Sequence, residues 1–373
     1  MRRYLAIVLL LTCLPALAIA GFNYVVDPVQ YFRPARFYKP GIYTQERFLY
    51  PALIRHQPYD GVIIGTSTAM TIRPSLVNRA FGGQFLKLTM NGGRPSEQAM
   101  VLDAALKHSE TPLRTVIWGI DPHMWVYPVN DRNQLYFFPE YLYKPDPLGV
   151  LRSYLLSRDI TAMSWTSLYN HRYNQVPGID LDNVGNWVEY FAQFKYTCSA
   201  VETQVSKFVP RDARVPVTPP TPEAVAQNGA VLNANFEQNL LPLIRANPQT
   251  QFYLYNPPYS RAEAFYLAAK APGALEARQR FKERLEQLAR ENANIHYYDF
   301  EQWRDITDNL DNYYDYQHHS KAINDAMFEY MARHPGLATS GQWIEAMRGL
   351  SYQDVFKQCF PQEVEAARGT PRP

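Results

Sequence analysis

Short apolar runs and helical patterns alternate along most of the chain. Gly61-Val62-Ile63-Ile64-Gly65 is a β-branched run closed by glycine, which predicts a strand buried on both faces. Phe85–Thr89 follows the turn signal Gly82-Gly83 and predicts a second strand, and Thr115–Ile120 a third. Gln251–Tyr255, stopped by Pro257-Pro258, gives a fourth, and Ile295–Phe300 a fifth. Helices are predicted over Ser96–Lys107, Phe236–Ile244, Ala274–Asn292 and Ser320–Arg333. The first opens with Ser96 as cap and acidic Glu97 in the first turn. In the third, Phe281, Leu285 and Leu288 fall at i, i+4 and i+7 beneath a charged face. In the last, Ile323, Met327 and Met331 lie four apart. A parallel crossover needs a helix-length connection, so the alternation predicts an α/β three-layer sandwich. Its central sheet is expected to be mainly parallel, in a flavodoxin-like arrangement.

The alternation breaks at about 122–235. That stretch carries Tyr136-Phe137-Phe138, Tyr141, Tyr143, Tyr154, Trp165, Tyr169, Tyr173, Trp187, Tyr190, Phe191, Phe194 and Tyr196, and it ends in the proline-rich segment Pro210–Pro222. It reads as a long aromatic-rich insertion into a domain spanning 23–336. At the amino end, Arg2 and Arg3 precede an apolar run from Leu5 to Gly21. This is the pattern of an export segment, with 1–22 serving as a signal anchor or as a cleaved signal peptide. Ala16-Leu17-Ala18 and Ala18-Ile19-Ala20 supply small-x-small cleavage spacing, so both forms remain open. Either way the body is expected outside the cytoplasm, on the periplasmic or extracellular side, anchored in the membrane or secreted. The region 337–373 predicts one more helix around Trp343, Ile344, Met347 and Leu350, then a disordered tail over Arg368–Pro373.

Composition narrows the partners. Lys+Arg number 37 against 35 Asp+Glu, a net charge of +2 without a basic block, which argues against nucleic acid. With 46% hydrophobic and 19% charged residues, bulk disorder is excluded. Three cysteines rule out a CxxC zinc site, and no metal or cofactor is expected. Cys13 lies in the export segment. Cys198 and Cys359 either pair or stay separate buried thiols.

Candidate chemistry is sought at the carboxyl ends of the strands, where open parallel sheets bind ligands. After the first strand comes Gly65-Thr66-Ser67, which places Ser67 at the N-terminus of the following helix as an N-cap or as a nucleophile near free N–H groups. After the second comes Asn91-Gly92-Gly93, whose glycines let backbone approach a ligand. Asp121, after the third, is a pocket residue or an Asx-turn former before Pro122. Near the end, Asp315-Tyr316-Gln317-His318-His319 puts a carboxylate three residues before an imidazole. In a loop this spacing can fix the tautomer of a general base. A metal reading of the two histidines is weaker, because adjacent side chains diverge and no third ligand is placed. His319 is the reserve candidate for the base.

This order of blocks resembles the SGNH/GDSL hydrolase superfamily over roughly Asp60–Arg333, the insertion excluded. The resemblance implies that Ser67 is the nucleophile, Gly92 or Gly93 the oxyanion-hole glycine, Asp315 the orienting acid and His318 the base. Thr66 stands where the family usually has Asp, and Asp121 stands where its oxyanion-donating Asn is expected. An ionised carboxylate would repel an oxyanion, so that role is not carried to Asp121, and Asn91 could substitute. Gly65-Thr66-Ser67 and Pro257-Pro258-Tyr259-Ser260 are similar to the divergent, membrane-anchored branch, which includes proteins similar to the D-alanyl transfer protein of teichoic acid modification and exopolysaccharide O-acetyltransferases. The resemblance implies a cell-envelope serine enzyme that transfers or hydrolyses an O-acyl group, acetyl above all, on a polysaccharide or other envelope polymer. The partners it implies are an envelope polysaccharide or an acylated small-molecule substrate, a membrane acyl-transfer protein, and the membrane through the N-terminal segment. The alternative is a non-catalytic envelope assembly or glycan-binding protein that retains the fold. Trp and Tyr in the insertion suit either, as stacking surfaces for sugars or as packing.

Overall fold

A computed structural model describes residues 1–39, 46–109, 112–144, 146–174, 180–185 and 194–360, without the side chains of 2 and 5–10. Trp187, Tyr190, Phe191 and the tail Arg368–Pro373 therefore lie outside the described residues. Five strands, β1 (Gly61–Gly65), β2 (Phe85–Thr89), β3 (Thr115–Gly119), β4 (Gln251–Asn256) and β5 (Ile295–Asp299), form one parallel sheet in the order β2-β1-β3-β4-β5. Each matches an apolar run in the sequence to within a residue.

The sheet separates two apolar layers, and alternation along each strand decides which residue enters which layer. Val62, Ile64, Leu86, Leu88, Val116, Trp118, Phe252 and Leu254 face one core together with the helices Pro95–His108, Pro222–Asn235 and Ala274–Glu291. Ile63, Ile117, Tyr255 and Tyr298 face the other, closed by Pro74–Phe81 and Lys321–Arg333. Ile323, Met327 and Met331 are all buried there, as their spacing requires. The fold is thus an α/β sandwich of three layers. Lys87 is a buried charged residue within β2: its ammonium donates to the carbonyls of Met70, Ile72 and Asp182 at 2.8–3.1 Å.

Two local expectations are corrected. Ser96 does not cap its helix. Pro95 takes the first position and Glu97 reaches back to accept the Arg94 N–H at 2.9 Å, while the Ser96 hydroxyl donates to Asp131 O. Phe236–Ile244 is not an independent helix but the end of a longer run. Pro222–Asn235 continues through a π-turn at Phe236–Leu240 into Leu241–Ala246. That run packs on Ala274–Glu291, so its helix belongs to the sandwich and not to the excursion before it.

The remaining excursion between β3 and β4 divides in use. Phe138, Tyr143 and Tyr154 are buried in the main core. Cys198–Val205 instead joins the helix Arg261–Lys270 and the C-terminal turns Gln342–Met347 and Tyr352–Phe356 in a separate apolar cluster. Cys198 and Cys359 are disulfide-bonded, with Cα atoms 5.2 Å apart, which closes a loop of 161 residues and ties the C-terminal turns to the excursion.

At the other end, a helix runs from Arg2 to Val26. Asn23 is fully buried, donating to Leu155 O and Thr161 Oγ1, both at 2.9 Å. Asp27 takes the Tyr154 hydroxyl at 2.6 Å and the N–H groups of Tyr31, Phe32 and Arg33. Among the described residues no helix is long and apolar enough to cross a membrane.

Candidate active site

The strand order reverses direction around β1, since the chain passes from β1 to β2 on one side and then to β3 on the other. The crevice outside such a switch point is where open α/β sheets bind ligands. Gly65 ends β1 there, and a Cβ on it would lie 3.0 Å from that of Ala69, so glycine lets the chain fold back at once. Thr66 stays extended and Ser67–Ala69 forms a single 3₁₀ turn. An α-helix starts only at Pro74. The expectation of Ser67 at the N-terminus of the following α-helix is therefore corrected: Ser67 opens a single 3₁₀ turn that precedes that helix.

A histidine is aimed at the Ser67 hydroxyl. Ser67 Oγ lies 2.8 Å from His318 Nε2 across 251 positions of sequence. His318 Nδ1 lies 2.8 Å from Asp315 Oδ2, while Asp315 Oδ1 accepts the N–H groups of Gln317 and His318, each at 2.7 Å. The three-residue spacing acquires a reason: one carboxylate both folds the loop and holds the ring. The loop is pinned to its surroundings by Ser260 Oγ, which donates to Tyr316 O at 2.6 Å, and by Tyr313 OH, which donates to Pro258 O at 2.6 Å. Tyr314 lies against the imidazole, with ring centroids 5.2 Å apart, and Phe194 from the excursion stacks on Tyr314 at 4.4 Å.

His319 turns the other way. Its Nε2 meets Asn324 Oδ1 at 3.0 Å, and the Asn324 amide donates to Thr68 O and Thr71 Oγ1 at 2.9 and 2.6 Å. Burial pushes its ring down to about 4, so it stays neutral and braces the turn that carries Ser67. Of the two adjacent histidines, only His318 reaches the serine. Among the described residues no cluster of metal-binding side chains is present.

The glycine loop sits beside this turn, because the Met90 N–H donates to Gly65 O at 2.9 Å. The Gly93 N–H is used within the loop, on Met90 O at 3.0 Å. Gly92 has φ +56°, its carbonyl accepts Asn133 Nδ2 at 2.7 Å, and its N–H makes no hydrogen bond among the described residues. A Cβ there would come within 2.4 Å of Asn133 Nδ2. The Asn91 amide donates to Tyr136 OH at 2.7 Å, and its backbone is held by Glu46 and Arg47. Of the two glycines, Gly92 is accordingly the one whose backbone N–H is not already used among the described residues.

Asp121 is both things the sequence left open. It forms an Asx turn, accepting the His123 N–H at 3.1 Å, and it is buried under the serine turn, accepting the Thr66 hydroxyl at 2.6 Å and the Tyr259 hydroxyl. Thr66 thus hands its hydroxyl to an acid that follows β3. Burial raises the Asp121 carboxyl, while His123, Thr66 and His318 pull it down less strongly. Thr66, Tyr259 and Asn324 were not singled out as site residues in the sequence. The signal was the run Pro257-Pro258-Tyr259-Ser260, which supplies two anchors.

No model of a known protein family matches the chain, and a comparison with curated proteins finds no match.

The electrostatics of the pair suit a proton relay. Burial disfavours a charged His318 ring, but the Asp315 carboxylate, its hydrogen bond and then Asp121 outweigh it, so the ring is held above the ordinary histidine range. Burial likewise opposes ionised Asp315, and the His318 contacts win, holding that carboxyl low. A base must be neutral to accept a proton. The rising limb of kcat/KM for an ester substrate should therefore be centred above the ordinary histidine value of about 6.5. In Asp315→Asn the opposing carboxylate is gone and burial remains, so the limb should move down by about 1–2 units. The plateau should fall by about 10³–10⁴ because the tautomer is no longer enforced. A pH–rate profile of the variant that keeps its midpoint would refute this assignment.

Proposed function

We propose that this protein is a serine enzyme of the cell envelope that transfers or hydrolyses an O-acyl group, with acetyl on a polysaccharide as the reading best supported. The observation that carries it is the relay Ser67–His318–Asp315, with 2.8 Å at both contacts. His318 Nε2 takes the hydroxyl proton as Ser67 Oγ attacks the acyl carbonyl. The tetrahedral intermediate expels the alkoxide, which leaves with that proton. Water or a sugar hydroxyl then gives its proton to His318, attacks the acyl-serine and carries the acyl group away, and Ser67 is reprotonated. Asp315 stays ionised throughout. The Gly92 N–H supports the developing oxyanion, replacing the side-chain donor that Asp121 does not supply.

The order of the blocks, which resembles the SGNH/GDSL superfamily, supports the same reading. Aromatic side chains stand beside the relay, with Tyr314 against the imidazole and Phe194 stacked on Tyr314, and aromatic rings near the reacting groups suit a sugar substrate. The apolar run after Arg2-Arg3 supports export and anchoring, with the domain outside the cytoplasmic membrane.

The test is to trap the intermediate. Full-length protein mixed with p-nitrophenyl acetate and quenched in acid should gain one acetyl group, mapped to Ser67 by peptide mass spectrometry. Adding soluble hexosamine oligomers should speed loss of the adduct and yield acetylated sugar if the natural acceptor is a glycan. Absence of both adduct and turnover would overturn the reading.

A further inference from the structure

Three exposed aromatic residues have no role in the relay. Trp165, Tyr169 and Tyr173 lie at i, i+4 and i+8 of the helix Arg158–Tyr173, which puts them in one stripe, and they are 64%, 60% and 69% exposed. Large aromatics this open cost hydration without repaying it in packing. The opposite face of the same helix is docked: Ser164 is buried and its hydroxyl donates to Asn23 Oδ1.

That docking decides what the stripe sits next to. Through Asn23 the helix is fixed to the last turns of the N-terminal helix, and Trp165 meets Phe22 with ring centroids 5.1 Å apart. The N-terminal helix itself exposes Leu11, Leu14 and Leu17, each above 60%. The aromatic stripe is thus continuous with the exposed apolar flank of the segment read as the anchor. Trp and Tyr are the side chains enriched at the membrane–water boundary, where an apolar ring and a polar edge are both satisfied. Arg158 and Arg172 on the same helix are exposed, and the Arg172 guanidinium lies 5.8 Å from the Tyr173 ring. They supply the charge that meets anionic headgroups.

We propose that the helix Arg158–Tyr173 is a membrane-interface element, with Trp165, Tyr169 and Tyr173 seated in the headgroup region of a phospholipid bilayer. It rests on the reading of the N-terminal helix as the membrane segment. The buried Asn23 side chain hydrogen-bonds the N-terminal helix to Leu155, Thr161 and Ser164 at that junction. The bilayer therefore fixes the orientation of the domain and does not merely tether it.

The experiment uses the full-length protein reconstituted into phosphatidylethanolamine–phosphatidylglycerol vesicles, some carrying a nitroxide at the headgroup. Trp165→Phe provides the difference signal. Flotation with the vesicles is expected, together with nitroxide quenching of tryptophan emission that falls at least about twofold in Trp165→Phe. Tyr169→Asp is expected to reduce the quenching of Trp165 while leaving p-nitrophenyl acetate turnover unchanged, which shows that the fold is intact. Flotation with equal quenching in wild type and Trp165→Phe would overturn the interface element and leave the anchor standing. Failure to float would overturn both. Trp165 shielded from aqueous iodide yet untouched by the nitroxide lipid would mean that a protein neighbour, such as a second copy, covers the stripe, and would also overturn it.

Discussion

Ser67→Ala and His318→Ala should each lower the rate of ester turnover by at least about 10³-fold, and each should abolish labelling by a fluorophosphonate. The magnitude follows from what each change removes. Without the hydroxyl there is no acyl-enzyme and water must attack directly. Without the imidazole, 2.8 Å from that hydroxyl, the serine keeps its proton and stays a weak nucleophile. Because the two act in one step, the double variant should be scarcely slower than either single one. His319→Gln is the discriminating control. His319 touches Asn324 and not the serine, so its loss loosens the turn around Thr68 without removing the base. Its rate should fall less than about tenfold. Equal losses in His318→Ala and His319→Gln, or labelling that survives Ser67→Ala, would sink the relay.

How much of this was visible in the chain depends on the range of the interaction. Strands buried on both faces read as nearly continuous apolar runs, so Val62-Ile63-Ile64 and Val116-Ile117-Trp118 announce themselves without periodicity. Asp315 and His318 were legible because their contact is made within one loop, three residues apart. The meeting of His318 with Ser67 was only an expectation, because nothing local brings residues so far apart together. The support under Thr66 was not legible at all. Asp121, Thr66 and Tyr259 stand at the ends of three different strands, and only the sheet order makes them neighbours. The missing helix behind Ser67 has a similar origin. Serine is a favoured cap, but the following residues close a 3₁₀ turn braced by Asn324 from the other end of the chain. The excursion was hardest, because Tyr154 in the core and Tyr169 on the surface look alike in a sequence.

The largest expected loss of stability lies in a buried charge cluster beneath the same anchors. Arg278 forms a fork with both oxygens of Glu263 at 2.6 and 2.9 Å and touches Glu301 at 3.2 Å, while Lys282 meets Asp299 and Glu301 at 2.9 and 3.0 Å. All five side chains are almost wholly buried. Three carboxylates face two cations, so the set tolerates the loss of neither. Arg278→Met keeps most of the volume but strands Glu263 in the interior, which should cost about 3–5 kcal/mol. The pH dependence carries the sign. Burial already raises the Glu263 carboxyl against the pull of Arg278, and removing the arginine raises it further. A carboxyl raised above its unfolded value binds more protons in the folded state, so the variant loses stability as pH rises through that range. The gap in denaturant midpoint between variant and wild type should therefore be wide near neutrality and narrow towards pH 5. Adding Glu263→Gln to Arg278→Met should recover part of the loss at neutral pH. The site should feel the change as well, because the Arg278 guanidinium lies 5.4 Å from the ring of Tyr259, whose hydroxyl holds Asp121 under Thr66. A midpoint that does not move would mean that water reaches Glu263 and replaces the arginine, and the charge cluster could then no longer be counted as what stiffens the floor of the serine turn.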